Sequence, residues 1–279
     1  RSADARRELG VAYQRMGQFD EAEAAYRRAI ELRPGSWANH NYLGAYFFGR
    51  GRLAEARAEF QRAVTLAPDN PRAWSNLGGV ATLEGRWEEA ESALRSALRV
   101  APYGPALSNL GTLQFRQRRL AEAARTFEQA AQVSPRNGYI RRNLAASYYW
   151  APGERHRAAD AYRQAAALLE EERGVDPENP GLLVLLADCY AMLGQADLAR
   201  RLAREALALN ASADDVATVV AVYEQLGERV AALRQVRAAL RAGYAPSEFE
   251  VDPALDGLRQ DPRYGALVRD AGKGGQEAR

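Results

Sequence analysis

The sequence predicts an all-α solenoid of about seven repeated helical hairpins, closed by a helical cap at the C-terminal end. Three observations lead there. A Leu-Gly pair recurs at Leu9-Gly10, Leu43-Gly44, Leu77-Gly78 and Leu110-Gly111, at steps of 34, 34 and 33 residues, and variants follow at Leu144-Ala145, Leu186-Ala187 and Val219-Val220. Each pair is followed by a small, a large and a second small residue: Ala22-Tyr26-Ala29, Ala56-Phe60-Ala63, Ala90-Leu94-Ala97, Ala123-Phe127-Ala130 and Ala158-Tyr162-Ala165, then Ala199-Ala203-Ala206 and Ala232-Val236-Ala239. Steps of three and four keep these residues on one helical face, and the small slots let two helices approach closely. The composition agrees: of the 47% apolar residues many are Ala and only 9% of the chain is aromatic, and Ala-, Leu- and Arg-rich segments with little β-branching favour helix. A period near 34 means that each hairpin buries its apolar face against the next.

The elements follow in order. Units 3–36, 37–70, 71–103 and 104–137 each carry two helices and end on Pro34, Pro68, Pro102 or Pro135, which stops the second helix. Gly17, Gly51, Gly85, Gly194 and Gly227 sit between paired helices, where a left-handed residue ends the first. The clearest copy is 37–70, with Leu43, Gly44, Phe47, Ala56, Phe60, Ala63 and Pro68 as its skeleton. Unit 138–179 is irregular. Ala151-Pro152-Gly153 lengthens its inner turn, and its second helix runs on into Glu170-Glu171-Glu172-Arg173, an acidic run expected to be a solvated helix face. Units 180–212 and 213–246 diverge most, with Ala203 and Val236 in the large slot and no closing proline. In the cap, 247–271, Asp252-Pro253 and Asp261-Pro262 look like helix starts. Phe249, Leu255, Leu258, Tyr264, Leu267 and Val268 are expected to cover the last hairpin, since an uncapped end leaves an apolar face wet. Residues 272–279 are expected to be disordered.

These residues resemble the tetratricopeptide repeat family over about residues 3–246. The resemblance implies a right-handed superhelix of stacked hairpins with a concave groove. The repeats and the paired Asp-Pro helix starts are also similar to the C-terminal arrays of bacterial serine/threonine protein kinases. No kinase motif is present in the chain. It begins at Arg1 rather than Met, so a kinase domain in the same polypeptide would precede it.

Composition and motifs exclude most other chemistry. Thirty-eight basic residues face 36 acidic ones for a net charge of +2, which gives no field for a nucleic-acid backbone. Nearly all the positive charge is Arg, with Lys273 the single lysine. Cys189 is the only cysteine and lies in an apolar helix, where it acts as a small hydrophobe. No apolar run reaches the roughly 20 residues of a membrane span. His40 is read as a core or rim residue and His156 as solvent-facing, and with one Cys and no His pair a metal site lacks ligands. No catalytic set, metal or cofactor is expected. Asn210-Ala211-Ser212 matches a glycosylation acceptor. The compartment is expected to be cytoplasmic, or extracytoplasmic if a membrane segment precedes the chain.

What remains is a binding surface. One step before the Leu-Gly pair stand Tyr42, Asn76, Asn109 and Asn143, with Asn41 beside them. Asn offers both a donor and an acceptor, which matches an extended peptide backbone. In tetratricopeptide proteins with an asparagine ladder this slot holds a peptide main chain, so the resemblance implies that role for Asn76, Asn109 and Asn143. The competing role is to bridge neighbouring helices. Phe48, Phe115, Tyr149 and Trp150 lie late on the same helices, as an apolar floor or as core between repeats. Arg7, Arg72, Arg116 and Arg142 add positive charge. The expected function is a non-enzymatic scaffold that takes a peptide or partner protein in the groove, centred on repeats 3 to 5. The alternative is a regulatory or substrate-recruiting module for an upstream kinase domain. Neither nucleic acid nor direct membrane contact is expected.

Overall fold

The computed structural model describes residues 2–209 and 211–277, with side chains to Ala271. Among these residues it holds seventeen α-helices, two 3-10 turns and no strand. The chain divides into two compact units, residues 1–113 and 114–279.

The first unit contains α1 (Ala3–Arg15) with α2 (Phe19–Leu32), α3 (Trp37–Gly49) with α4 (Leu53–Leu66), α5 (Pro71–Leu83) with α6 (Trp87–Val100), and the first part of α7 (Gly104–Arg116). Each hairpin closes in the same way. Gly17, Gly51 and Gly85 take φ of 72°, 70° and 71°, and the amide that follows each reaches back over the turn: Gln18 N donates to Tyr13 O, Arg52 N to Phe47 O and Arg86 N to Ala81 O, each at 2.9 Å. This is the six-to-one bond of a Schellman stop, and it needs a residue without a Cβ penalty at positive φ. Outer ends are capped by side chains, as where Asn70 Oδ1 accepts from Arg72 N at 3.0 Å.

The Leu-Gly slot has a steric cause. A Cβ on Gly44 would lie 2.8 Å from the Phe60 ring, and one on Gly78 would lie 2.5 Å from Leu94 Cγ. The large residue of the second helix therefore fills the space left by the glycine of the first. Phe60 belongs to one buried cluster with Tyr26, Leu43, Tyr46, Phe47 and Ala63.

The second unit holds the end of α7, then α8 (Leu120–Val133), α9 (Gly138–Trp150), α10 (Ala158–Arg173), α11 (Pro180–Met192), α12 (Ala196–Ala208), α13 (Ala213–Gln225), α14 (Arg229–Arg241), α15 (Pro246–Glu250), α16 (Asp256–Arg259) and α17 (Pro262–Glu277). Ala203 and Val236 are fully buried in the large slots of the divergent hairpins. The lengthened fifth turn contains a 3-10 turn, Arg155–Arg157. In the acidic run after it Glu171 and Glu172 are exposed, Glu171 pairing with Arg136 at the surface at 2.5 Å, while the half-buried Glu170 accepts from the Tyr190 hydroxyl at 2.9 Å.

Two features differ from expectation, the fourth turn and the tail. Residue 118 occupies the turn position that glycine fills elsewhere, yet it is an arginine at φ 61°. The cap residues cover the last hairpin from two elements. Helix α17 packs on α14 and buries Tyr264. The stretch from α15 to α16 sets its 3-10 turn, Pro253–Leu255, on α13 and takes a hydrogen bond from Arg229 of α14 to Gly257 O at 3.1 Å, burying Phe249, Leu255 and Leu258. Finally, α17 is helical to Glu277, inside the stretch expected to be a disordered tail; residues 278–279 of that tail lie outside the described residues. Asn210 of the Asn-Ala-Ser pattern also lies outside them.

Candidate functional site

In the first unit the first helices of successive hairpins, α1, α3 and α5, stand side by side. Their spacing places residues of the same register on one face. Tyr42 sits between two arginines, with the Arg7 guanidinium 5.2 Å and the Arg72 guanidinium 5.8 Å from its ring centre, distances at which a cation is drawn to the ring. Asn76 Nδ2 donates to Asn41 Oδ1 at 2.7 Å. One step on, Asn109 Nδ2 donates to Ser75 O and Ser75 Oγ, both at 3.2 Å. Both amides thus bridge neighbouring repeats, the competing role that the sequence left open. Two donors on this face remain unanswered: Arg7 Nε and Asn41 Nδ2 are buried and have no hydrogen-bond acceptor. Phe48, at 40% exposure, offers an apolar contact late on α3.

In the second unit the expected residues meet other groups. Asn143 is buried on α9, and its Oδ1 accepts from Arg142 Nη1 at 3.2 Å. Arg142 Nε donates to Asp188 Oδ2 of α11 at 2.6 Å. Tyr149 packs edge-on against Trp150 at 4.9 Å and carries Arg155 over its ring at 4.0 Å. Phe115 is half-buried at the end of α7. At the end of α7 and the turn after it, two arginines meet carboxylates of the α15–α16 stretch. Arg116 holds Glu248 through two bonds of 2.7 and 2.8 Å, and Arg118 holds Asp256 through two of 3.0 and 2.7 Å. Between them, burial pushes the Asp252 carboxyl above its ordinary range, while Arg142 and Arg118 draw it back. Glu248 and Asp256 were missed in the sequence, whereas Asp252, expected at a helix start, caps its turn by accepting from Ala254 N at 2.8 Å.

Other candidate groups are structural. His40 spans Glu59 Oε2 at 2.6 Å and Pro34 O at 3.1 Å. Cys189 is buried, and that burial pushes its thiol up, away from the reactive thiolate. Among the described residues no His, Cys, Asp and Glu are grouped to hold a metal, and no helix is long and apolar enough to cross a membrane.

Two tetratricopeptide repeat family models match the chain, one over residues 7–71 and 108–151 and the other over 47–111 and 156–223. No curated protein matches it. Among solved structures it is similar to a tetratricopeptide repeat protein from Parabacteroides merdae, at 17% identity and TM-score 0.54, covering 96% of this chain and 98% of that one. It is similar to pilF of Pseudomonas aeruginosa at 24% identity and TM-score 0.55, over 73% and 89% of the two chains. It also resembles a chain of the APC/C hetero-tetramer Cut9-Hcn1 at 15% identity and TM-score 0.62, over 94% of this chain and 48% of that one. At these identities the likeness is one of fold.

Proposed function

We propose that this chain, which belongs to the tetratricopeptide repeat family and is a protein-interaction module, holds an extended segment of a partner protein on the α1–α3–α5 face of its first unit. The observation that carries this reading is the exposed Phe48 on the same helix as Tyr42, which stands between the Arg7 and Arg72 guanidiniums. An extended segment would pack on Tyr42 and Phe48 and offer acceptors to the exposed Arg72. The module acts by binding and needs no catalytic group. Recruitment to an upstream serine/threonine kinase domain rests on the resemblance of the repeat sequences, and the gene upstream of Arg1 tests it.

The test selects peptides from a displayed library on the intact chain and compares the wild type with Phe48→Ala/Arg72→Ala. Both side chains are exposed, so helical content and unfolding midpoint should hold nearly constant. One lost apolar contact and one lost hydrogen bond, about 1 kcal/mol each, should weaken the selected peptides about tenfold or more. Peptides that bind both proteins equally would remove the face from consideration.

A further inference from the structure

We infer that the groove between α14 and α17 is a second docking surface, whose occupant is an acidic amphipathic helix of a partner protein. It lies in the second unit and does not rest on the reading of the first.

The charge of α14 is the first observation. It is the one second helix of a hairpin that carries no acid, its charged residues being Arg229, Arg234, Arg237 and Arg241. The second helices α2, α4 and α6 counter exposed arginines from within: Arg27 with Glu23 at 2.6 Å, Arg62 with Glu59 at 3.4 Å and Arg95 with Glu91 at 2.6 Å. Such pairs at three- and four-residue steps neutralise and steady a wet helix face. Arg229 is matched as well, by Glu224 at 2.7 Å. Arg234, Arg237 and Arg241 are exposed and meet no carboxylate among the described residues.

The second observation is shape. Helix α17 packs on α14 and leaves between them a groove of about 440 Å³, lined by the apolar Val230, Leu233, Ala266 and Leu267 and by Arg234 and Arg237. Val230 is 64% exposed, and covering it is favourable. Positions 230, 234, 237 and 241 follow at steps of three and four, so they share one face of α14. Apolar contact is thus offered at one end of that face and uncompensated positive charge along the rest. Arg263 also lines the groove, but Asp261 already holds it through bonds of 2.9 and 2.7 Å. Asp270 lines it too, one acid against two unmatched arginines.

The occupant follows from both. A trough between two helices accepts a third, whose apolar face enters while its polar rim stays wet. Covering Val230 requires an apolar residue, and Arg234 and Arg237 require carboxylates about 6 and 10 Å further along the axis. A bilayer surface has no ridge to enter the trough, and a phosphate backbone has no aliphatic group to cover Val230.

The experiment uses the intact chain. Single helices are selected from a display library on the wild type, with soluble Arg234→Glu/Arg237→Glu chain as competitor, so that binders indifferent to this charge are removed. Retained helices should carry an apolar residue with Asp or Glu one and two turns away. One of them, made as a fluorescein-labelled peptide, is the probe. It should bind Arg234→Glu/Arg237→Glu about tenfold or more weakly than the wild type. It should also bind Val230→Ser more weakly and lose affinity as salt rises. All three side chains are exposed, so both variants should keep their helical signal; the neutral Arg234→Gln/Arg237→Gln, which should also weaken the probe, replaces a reversed variant that does not. Parallel arms present single-stranded polyuridine and vesicles of phosphatidylserine and phosphatidylcholine. The proposal is overturned if no helix survives the competition, if the survivors lack the acidic pattern, or if the probe binds the wild type and the arginine variants equally. Binding of the RNA or the vesicles that is lost in Arg234→Glu/Arg237→Glu, with no helix retained, assigns the arginines to phosphate and overturns it as well. None of these outcomes bears on peptides held at Tyr42 and Phe48.

Discussion

Phe60→Ala should destabilise the first unit by about 3–5 kcal/mol, the range for emptying a buried aromatic site. Phe60 is 2% exposed and its ring fills the notch left by Gly44. It also joins the cluster that includes Tyr26 and Tyr46, so its loss is felt by the preceding hairpin as well as its own. Neighbouring repeats contribute to each other's stability through their shared faces, which spreads the defect along the unit rather than confining it to α3 and α4. Against a total of about 5–15 kcal/mol for a domain, this is a large fraction. Urea unfolding followed by far-ultraviolet circular dichroism checks it. A loss below about 1 kcal/mol would mean that the glycine–aromatic contact does not hold the hairpin together. A conservative control sharpens the reading: Phe60→Leu keeps most of the volume and should lose much less.

Arg142→Ala should cost about 3 kcal/mol in the second unit. Removing one partner of a buried ion pair strands the other charge, at about 3–5 kcal/mol. The lower end applies because Arg142 keeps 21% of its side-chain surface exposed, whereas Asp188 keeps 9%. The stranded Asp188 would also face Asp252, whose carboxyl lies in the field of the same arginine. Replacing both partners, Arg142→Met/Asp188→Leu, removes the charge with its counter-charge and should lose far less, since an apolar pair of similar volume is often neutral. Guanidinium unfolding midpoints of the two variants decide the matter. Equal losses would mean that Arg142 acts alone, as the ligand-facing residue the sequence first implied.

The fold was legible because its cause is local. Gly44 and Phe60 are sixteen residues apart in one hairpin, and the spacing that lets them meet repeats along the chain. The turns were legible for the same reason, with one exception. The left-handed position of the fourth turn is Arg118, a residue type that seldom adopts it, and only the gap in the glycine series marked the place. The amides were half legible. A shared register put Asn76 and Asn109 at equivalent steps, but their acceptors, Asn41 and Ser75, are set by how one repeat packs on the next. The charge contacts of residues 246–259 were not legible, since no local pattern ties Glu248 to an arginine 132 residues away. Long-range charge pairing is a property of the assembled surface, and a period read along one chain does not contain it.

The central claim is that a partner segment meets the first unit on its α1–α3–α5 face. Carbene footprinting of the intact chain, with and without a library-selected peptide, tests it most directly. The account predicts that labelling of Tyr42 and Phe48 falls sharply on binding while labelling of Leu32 and Leu66, exposed at the ends of the second helices, is unchanged. Protection of Leu32 and Leu66, with Tyr42 and Phe48 still labelled, would contradict it.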